Sequence, residues 1–231
     1  MTHKLLGKGH DGIIVHPAIS NKLKNNTDYI TKIGIAKDIN NEKLVYDNLP
    51  DEFNNVFYNK ECYIDKFSLK NTALDNESLE RIKMKGNNYD TQLTMKRFNG
   101  QNLRVILNKT TTVTKLQIYN LLKKMIFLYE CVNKLNNTYN VYHKDITRHN
   151  IMFNVKTNEI RIIDFVQGKK YPDKQKPHHL PNKDLSDTID VINSIIEFIT
   201  KTKQCSICVT SIKTIDDLKA NMSCIKSKLV K

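Results

Sequence analysis

The stretch whose reading decides the fold is VYHKDITRHNIMFN, residues 141–154. It sets His143, Asp145, Arg148, His149 and Asn150 between the apolar Val141, Ile146, Ile151 and Phe153. Apolar anchors around ionisable groups suit a loop with a chemical task. A plain helix-to-strand connection would also be polar, so the residues around the stretch have to separate the two readings.

His143, Asp145 and Asn150 follow the order H-x-D-x-x-x-x-N, and fourteen residues after Asn150 comes Asp164, at the end of the apolar run Ile162-Ile163. Phosphoryl transfer needs a carboxylate beside the attacking hydroxyl and hard oxygen ligands for Mg2+ on the phosphates. Asp145 suits the first task. Asn150 and Asp164 suit the second, because the short runs 151–155 and 160–165, joined by KTNE, read as a hairpin that brings residues 150 and 164 together.

Upstream, Gly7-Lys-Gly9-His-Asp-Gly12 matches G-x-G-x-x-G. In a dinucleotide-binding turn the glycines open a helix. Here the strand-like Ile13-Ile14-Val15 follows, which suits a glycine hairpin lying over phosphates. Lys32 stands inside the apolar run YITKIGI (29–35), on the same strand face as Ile30 and Gly34. A buried lysine needs a partner, and Glu42, on the helix expected over 38–48, is the natural one.

The chain as a whole reads as a small β-rich part followed by a mostly helical part. Strands are expected at 13–15, 29–35, 62–69 and 92–98, with the polar stretch 70–90 a hairpin or insertion. Leu49-Pro50 ends the first helix. The pattern Val113, Leu116, Leu122, Met125, Ile126, Tyr129, Val132, Leu135 predicts a long helix over 113–135. Residues 168–184 hold three of the five prolines and read as irregular. A helix is expected over 185–201 and one or two short helices over 205–231.

With the glycine loop, strand Lys32, helix Glu42, H-x-D-x-x-x-x-N and Asp164-Phe165 in this order, the chain resembles the protein kinase-like superfamily from residue 5 to about 200. The resemblance implies an α+β, bilobal fold: an N-lobe over 1–98 with one helix, and a truncated helical C-lobe over 99–231. It implies ATP and Mg2+ as cofactors and a serine/threonine protein kinase activity. By it, Gly7, Gly9 and Gly12 cover the ATP phosphates, and Lys32 contacts the α- and β-phosphates while pairing with Glu42. Met95 is the gatekeeper, and Lys96 to Phe98 form the hinge that holds adenine by its backbone. Asp145 orients the substrate hydroxyl and accepts its proton, Asn150 and Asp164 hold Mg2+, and His143 organises the loop. An aspartate at the start of DVINSIIEF (190–198), Asp190 with Asp187 as the competing choice, braces the catalytic loop.

The chain departs from the family pattern at three places. Thr147 stands where such kinases carry a lysine near the γ-phosphate, and Arg148 is the candidate replacement. Val166 replaces the glycine after Asp164-Phe165. The following segment has no A-P-E and, from Val166 to Leu185, no Ser or Thr, only Tyr171. Shortness and departures together resemble small atypical kinases, such as the RIO group, and the short kinase-like proteins of large DNA viruses. A non-catalytic kinase-like binding module and a small-molecule phosphotransferase are the alternatives.

The 231 residues carry a net charge of +13, which points to an anionic partner: an acidic or phosphorylated protein substrate, or nucleic acid. Composition explains the charge as readily, since 32 Lys stand against 5 Arg beside 27 Asn and 26 Ile, all favoured by AT-rich codons. Residues 169–183, with five Lys, one Asp and two His, lie where the resemblance places substrate. No apolar run is long enough to span a membrane. Five cysteines without a leading apolar segment suggest reduced thiols and an intracellular setting, a host cytoplasm or a virion if the source is viral. The lone Cys205-x-x-Cys208 lacks the second pair that a structural zinc site needs.

Overall fold

A computed structural model describes residues 2–8, 12–19, 23, 26–57, 61–85, 89–108, 113–172, 180–202 and 208–230; of residues 71, 180 and 181 it describes the backbone alone. The fold is α+β. The chain forms two compact units, one of Met1–Leu49, Asn59–Phe98 and Phe165–Gly168, the other of Pro50–Tyr58, Asn99–Asp164 and Lys169–Lys231. Residues 50–58 and 165–168 therefore depart from a simple division into 1–98 and 99–231.

The first unit is built on a five-stranded antiparallel sheet in the order β1-β2-β3-β5-β4. Its strands are β1 (Lys4–Lys8), β2 (Gly12–His16), β3 (Tyr29–Gly34), β4 (Cys62–Lys66) and β5 (Thr91–Lys96). Alternation sorts β2 and β3 into two faces. Ile13, Val15 and Ile33 point into a core with Phe67, Leu74, Ile82 and Tyr89, while Lys32 points the other way, toward α1 (Ala36–Asn48). Helix α1 ends at Leu49, which takes extended backbone ahead of Pro50.

The sequence reading of one helix in this part is corrected: α2 (Asn76–Met84) forms within the supposed hairpin or insertion at 70–90. Its signal is local. Asp75 caps the helix by accepting from the Ser78 N–H at 2.9 Å, and Ser78 and Ile82 fill its buried side. The second oxygen of Asp75 accepts from the Leu5 N–H of β1 at 3.1 Å. The Ser78 side chain, then the backbone N–H groups of Ser78 and Leu5, hold the Asp75 carboxyl below the usual range, against the opposing effect of burial. The stabilisation is therefore complete above the ordinary carboxylate pKa and lost as pH falls through the lowered folded value. Asp75→Ala should cost about 1 kcal/mol at neutral pH and flatten the acid limb of a stability–pH curve measured by urea unfolding.

Other boundaries also move. Strand β4 stops at Lys66 instead of reaching residue 69, where a 3-10 turn (Leu69–Asn71) begins. At Gly12 a Cβ would meet the Ile33 carbonyl oxygen at 2.6 Å, whereas at Gly7 the nearest atom would be 3.8 Å away. Gly12→Ala should thus destabilise the sheet by about 2 kcal/mol, since backbone cannot yield as a side chain does. Gly7→Ala should leave the denaturation midpoint unchanged.

The second unit holds α3 (Leu103–Asn108), α4 (Lys115–Thr138), α5 (Leu180–Lys201) and α6 (Ile215–Leu229), with β6 (Gln101–Asn102), β7 (Val141–Tyr142), β8 (Ile151–Asn154), β9 (Glu159–Ile162) and β10 (Lys169–Lys170). A reciprocal capping box between Thr114 and Gln117 starts α4. Ile118, Leu121, Leu122, Met125, Leu128, Val132 and Leu135 then form the buried side of α4, which packs on α5 and α6. The strands form two small sheets, β6-β8-β9 and β10-β7.

Two sequence readings change in this unit. Helix α5 starts at Leu180, inside the stretch read as irregular and five residues before the expected start. One helix, α6, occupies the described part of the tail, within the one or two expected there. Cys208 and Cys224 are joined in a disulfide, against the reduced thiols expected from the sequence. Cys62 and Cys131 are free and buried, and burial pushes their thiols up to about 12 and about 11. Cys205 lies outside the described residues. Among the described residues no helix is long and apolar enough to cross a membrane.

Candidate active site

In the first unit the centre is a buried ion pair. Lys32 Nζ, on β3, donates to Glu42 Oε2, on α1, at 2.8 Å. The two side chains are only 6% and 1% exposed, so the pair is desolvated and its geometry matters. Glu42 is further held by its Oε1, which accepts from Tyr46 Oη at 2.8 Å and from the Phe165 N–H at 3.3 Å. The Phe165 ring meets Tyr46 edge-on at 5.5 Å. One residue before Glu42 on α1, Asn41 Nδ2 donates to the carbonyls of Val166 and Gly168 at 2.6 and 3.0 Å. Glu42 and Asn41 thus hold the segment that follows Asp164. The backbone at Val166 is not left-handed, so this turn has no need of glycine there.

Lys32→Met leaves Glu42 charged and buried without its cation, which should cost about 3 kcal/mol. Lys32→Met with Glu42→Gln keeps an acceptor for Tyr46 and Phe165 and should recover most of the loss. Chemical denaturation of the two variants checks this.

The remaining residues proposed in this unit occupy ordinary strand and edge positions. Gly7 lies in β1, whose register with β2 shifts between Leu5 and Gly7. Gly12 opens β2. Gly9 lies outside the described residues. Met95 is buried in β5 opposite Ile30 and Cys62, Lys96 ends the strand exposed, and Phe98 is buried just beyond it.

In the second unit the stretch 143–150 folds on itself. Asn150 Nδ2 donates to the Asp145 carbonyl at 2.9 Å and to Asp145 Oδ2 at 2.8 Å. That commits the amide nitrogen and turns Asn150 Oδ1 away from Asp145. The Asp145 N–H donates to His143 Nδ1 at 3.2 Å, and the other nitrogen of that ring lies 3.0 Å from the Ile163 carbonyl. Strands β8 and β9 pair Ile151 with Ile162, and the Ile163 N–H donates to the Asn150 carbonyl at 2.9 Å. The expected hairpin therefore forms, with Asp164 one residue beyond the bond to Asn150. Lys144 and Asp164 both take left-handed backbone, φ 68° and 71°. Such strain in non-glycine residues gathers at sites where geometry is imposed.

The oxygen set fits a hard cation. Asn150 Oδ1 and the Asp164 carboxylate are the ligand types Mg2+ takes when phosphates complete its shell. Among the described residues no group of three or more His, Cys, Asp and Glu gathers as a self-contained metal cage.

The brace of the loop is neither Asp190 nor Asp187. It is Asp184, 1% exposed, whose two carboxylate oxygens accept from the His143 and Lys144 N–H groups at 2.8 Å each. Asp190 is exposed and Asp187 pairs with Lys183. Periodicity could have found this: Asp184, Thr188, Val191, Ile192 and Ile195 share one helical face, from which Asp190 points away. Reading α5 as starting at 185 cut Asp184 off that face. Desolvation, then the Asp184 charge and Tyr171, push the buried Tyr142 phenol up to about 12. Its hydroxyl donates to the Asn136 carbonyl at 3.0 Å.

Thr147 is half-buried and Arg148 exposed. The Glu197 carboxyl lies below its usual range chiefly through Lys201, and the Arg148 charge adds to the effect, so Arg148 stands near α5.

No family model matches the chain, and no curated protein matches it either.

Proposed function

We propose that this chain is a divergent, bilobal kinase-like phosphotransferase that moves the γ-phosphoryl group of ATP to Ser/Thr hydroxyls of proteins. The observation that carries the reading is the loop 143–150. There Asn150 fixes the Asp145 carboxylate while a hairpin sets Asp164 beside Asn150. Phosphoryl transfer asks little covalent chemistry of a protein and much positioning, which is what this loop supplies.

In this reading Lys32, aimed by Glu42, neutralises the α- and β-phosphates. Asn150 Oδ1 and the Asp164 carboxylate would hold Mg2+, which would neutralise charge on the phosphates when bound. Asp145 has Oδ2 engaged by Asn150 and uses Oδ1 to orient the acceptor hydroxyl. As the oxygen of the acceptor hydroxyl bonds to the γ-phosphorus, the bond from phosphorus to the bridging oxygen breaks, ADP leaves and the hydroxyl proton passes to Asp145. Gly7, Gly9 and Gly12 cover the phosphates, Met95, Lys96 and Phe98 line the adenine side, and Arg148 stands in for the lysine that Thr147 replaces.

Thermal unfolding with and without Mg2+ and ATP tests the nucleotide part. At about 100 times Kd, ligand stabilises the folded chain by about 2.7 kcal/mol, a rise of about 5–10 °C for a chain of this length. Lys32→Met should abolish the rise. No rise in the wild type would sink the reading. A rise without transfer to protein would instead favour the binding-module alternative, which Thr147 motivates.

A further inference from the structure

Two cation-capable side chains, Arg104 and His149, meet beside the catalytic loop, with Arg148 next to His149 in the chain, and the roles above use only Arg148. Strand β6 pairs with the start of β8, Asn102 opposite Met152 and Gln101 opposite Phe153, which sets α3 against the turn that precedes β8. The Arg104 N–H donates to the Arg148 carbonyl at 3.0 Å. The Arg104 guanidinium donates to His149 Nε2 at 3.3 Å. Arg104, Arg148 and His149 are all exposed. Among the described residues no carboxylate forms an ion pair with any of the three. Glu197, whose carboxyl the Arg148 charge reaches, is itself paired with Lys201 at 2.5 Å.

The residue types add weight. Lysine supplies 32 of the 37 basic residues, yet two of the five arginines meet here. Arginine's planar fork grips carboxylate and phosphate oxygens in pairs, as a lysine point charge does not. A guanidinium donating to a ring nitrogen, with a second arginine in the same turn and no carboxylate paired to them among the described residues, is a set of donors open to an anion.

From this juxtaposition we infer that Arg104, His149 and Arg148 form an anion-binding subsite that selects acceptor peptides carrying an acidic or phosphorylated residue near the target hydroxyl. The inference rests on the kinase reading for the identity of the acceptor. The subsite begins three residues after Asp145, so an anionic side chain seated on it holds its own peptide at the loop. A polypeptide fits better than a nucleic acid: the cluster is compact and matches one anionic group, whereas nucleic acid asks for a basic stripe along a backbone.

The test is direct binding to the full chain, read by fluorescence anisotropy. Three labelled probes are compared: a Ser-centred peptide flanked by Asp, Glu and phosphoserine, a Gln-flanked peptide of equal length, and a single-stranded oligonucleotide. The variants are Arg104→Gln, His149→Gln and, as a control of equal charge change on exposed α4 surface, Lys123→Gln. The expected result is binding of the acidic peptide at least tenfold tighter than the neutral one. Arg104→Gln should weaken it about tenfold and His149→Gln several-fold, while Lys123→Gln changes it less than twofold and all melting temperatures stay alike. Equal affinity for both peptides, equal loss in the Lys123 control, or stronger dependence of oligonucleotide binding on Arg104 and His149 would overturn the inference. The same peptides are then offered with Mg2+ and ATP. Preference in binding without transfer to any peptide would defeat the kinase reading and leave the subsite standing. Transfer with the same KM for acidic and neutral peptides would defeat the subsite and leave the kinase reading standing.

Discussion

Asp184→Ala is expected to cost about 4 kcal/mol of folding stability, a large share of what a domain possesses. The charged carboxylate accepts two backbone N–H bonds at 2.8 Å while 1% exposed. A hydrogen bond to a charged group contributes about 1.5–3 kcal/mol, and removing the acceptor leaves both N–H groups buried without it. Lys144 is the more sensitive of the two, because its left-handed backbone is held by that bond. Asp190→Ala, on the exposed face of the same helix, should change stability by less than about 0.5 kcal/mol. Asp187→Ala removes only an exposed i,i+4 pair with Lys183 and should cost no more. Urea unfolding of the three variants separates these outcomes. An Asp184→Ala chain as stable as the wild type would show that the loop does not depend on this brace.

The second large effect concerns chemistry rather than folding. Asp145→Asn keeps the shape of the side chain but removes its capacity to take a proton, a contribution of about 100- to 10,000-fold in rate. An asparagine at 145 still offers an oxygen to the Asn150 amide, so the loop should hold. ATP should still raise the melting temperature, since Lys32 and Glu42 are untouched. The expected profile is therefore nucleotide binding retained and transfer lost by about 1,000-fold, all of it in kcat. A mutation that removed ground-state binding of the acceptor would instead raise KM.

The sequence allowed much of this architecture to be read because its signals are local. Alternation in YITKIGI put Lys32 on the strand face opposite Ile33, and the Lys32–Glu42 pair sits at that place. The polar KTNE between two apolar runs signalled the β8–β9 hairpin that sets Asp164 next to Asn150. The misses have physical causes too. Helix α2 carries few apolar residues and is fixed by one cap and by β1, so polarity alone read as a loop. The start of α5 lies among prolines, one of them Pro181 in its first turn, where proline is tolerated because its missing N–H has no helical partner. Taking that proline as a breaker hid Asp184. The Asn41 amide that holds the turn after Asp164 spans 125 and 127 residues of sequence, and no local pattern announces such a contact. Arg104 and His149 meet across 45 residues for the same reason.

The most direct test of the kinase reading is phosphoryl transfer from labelled ATP to a protein or peptide acceptor, with the wild type and Asp145→Asn side by side in Mg2+. The account predicts label on Ser or Thr of the acceptor with the wild type, and about 1,000-fold less with Asp145→Asn at an equal ATP-induced rise in melting temperature. Equal transfer by the two proteins, or none by a folded, ATP-binding wild type, would contradict it.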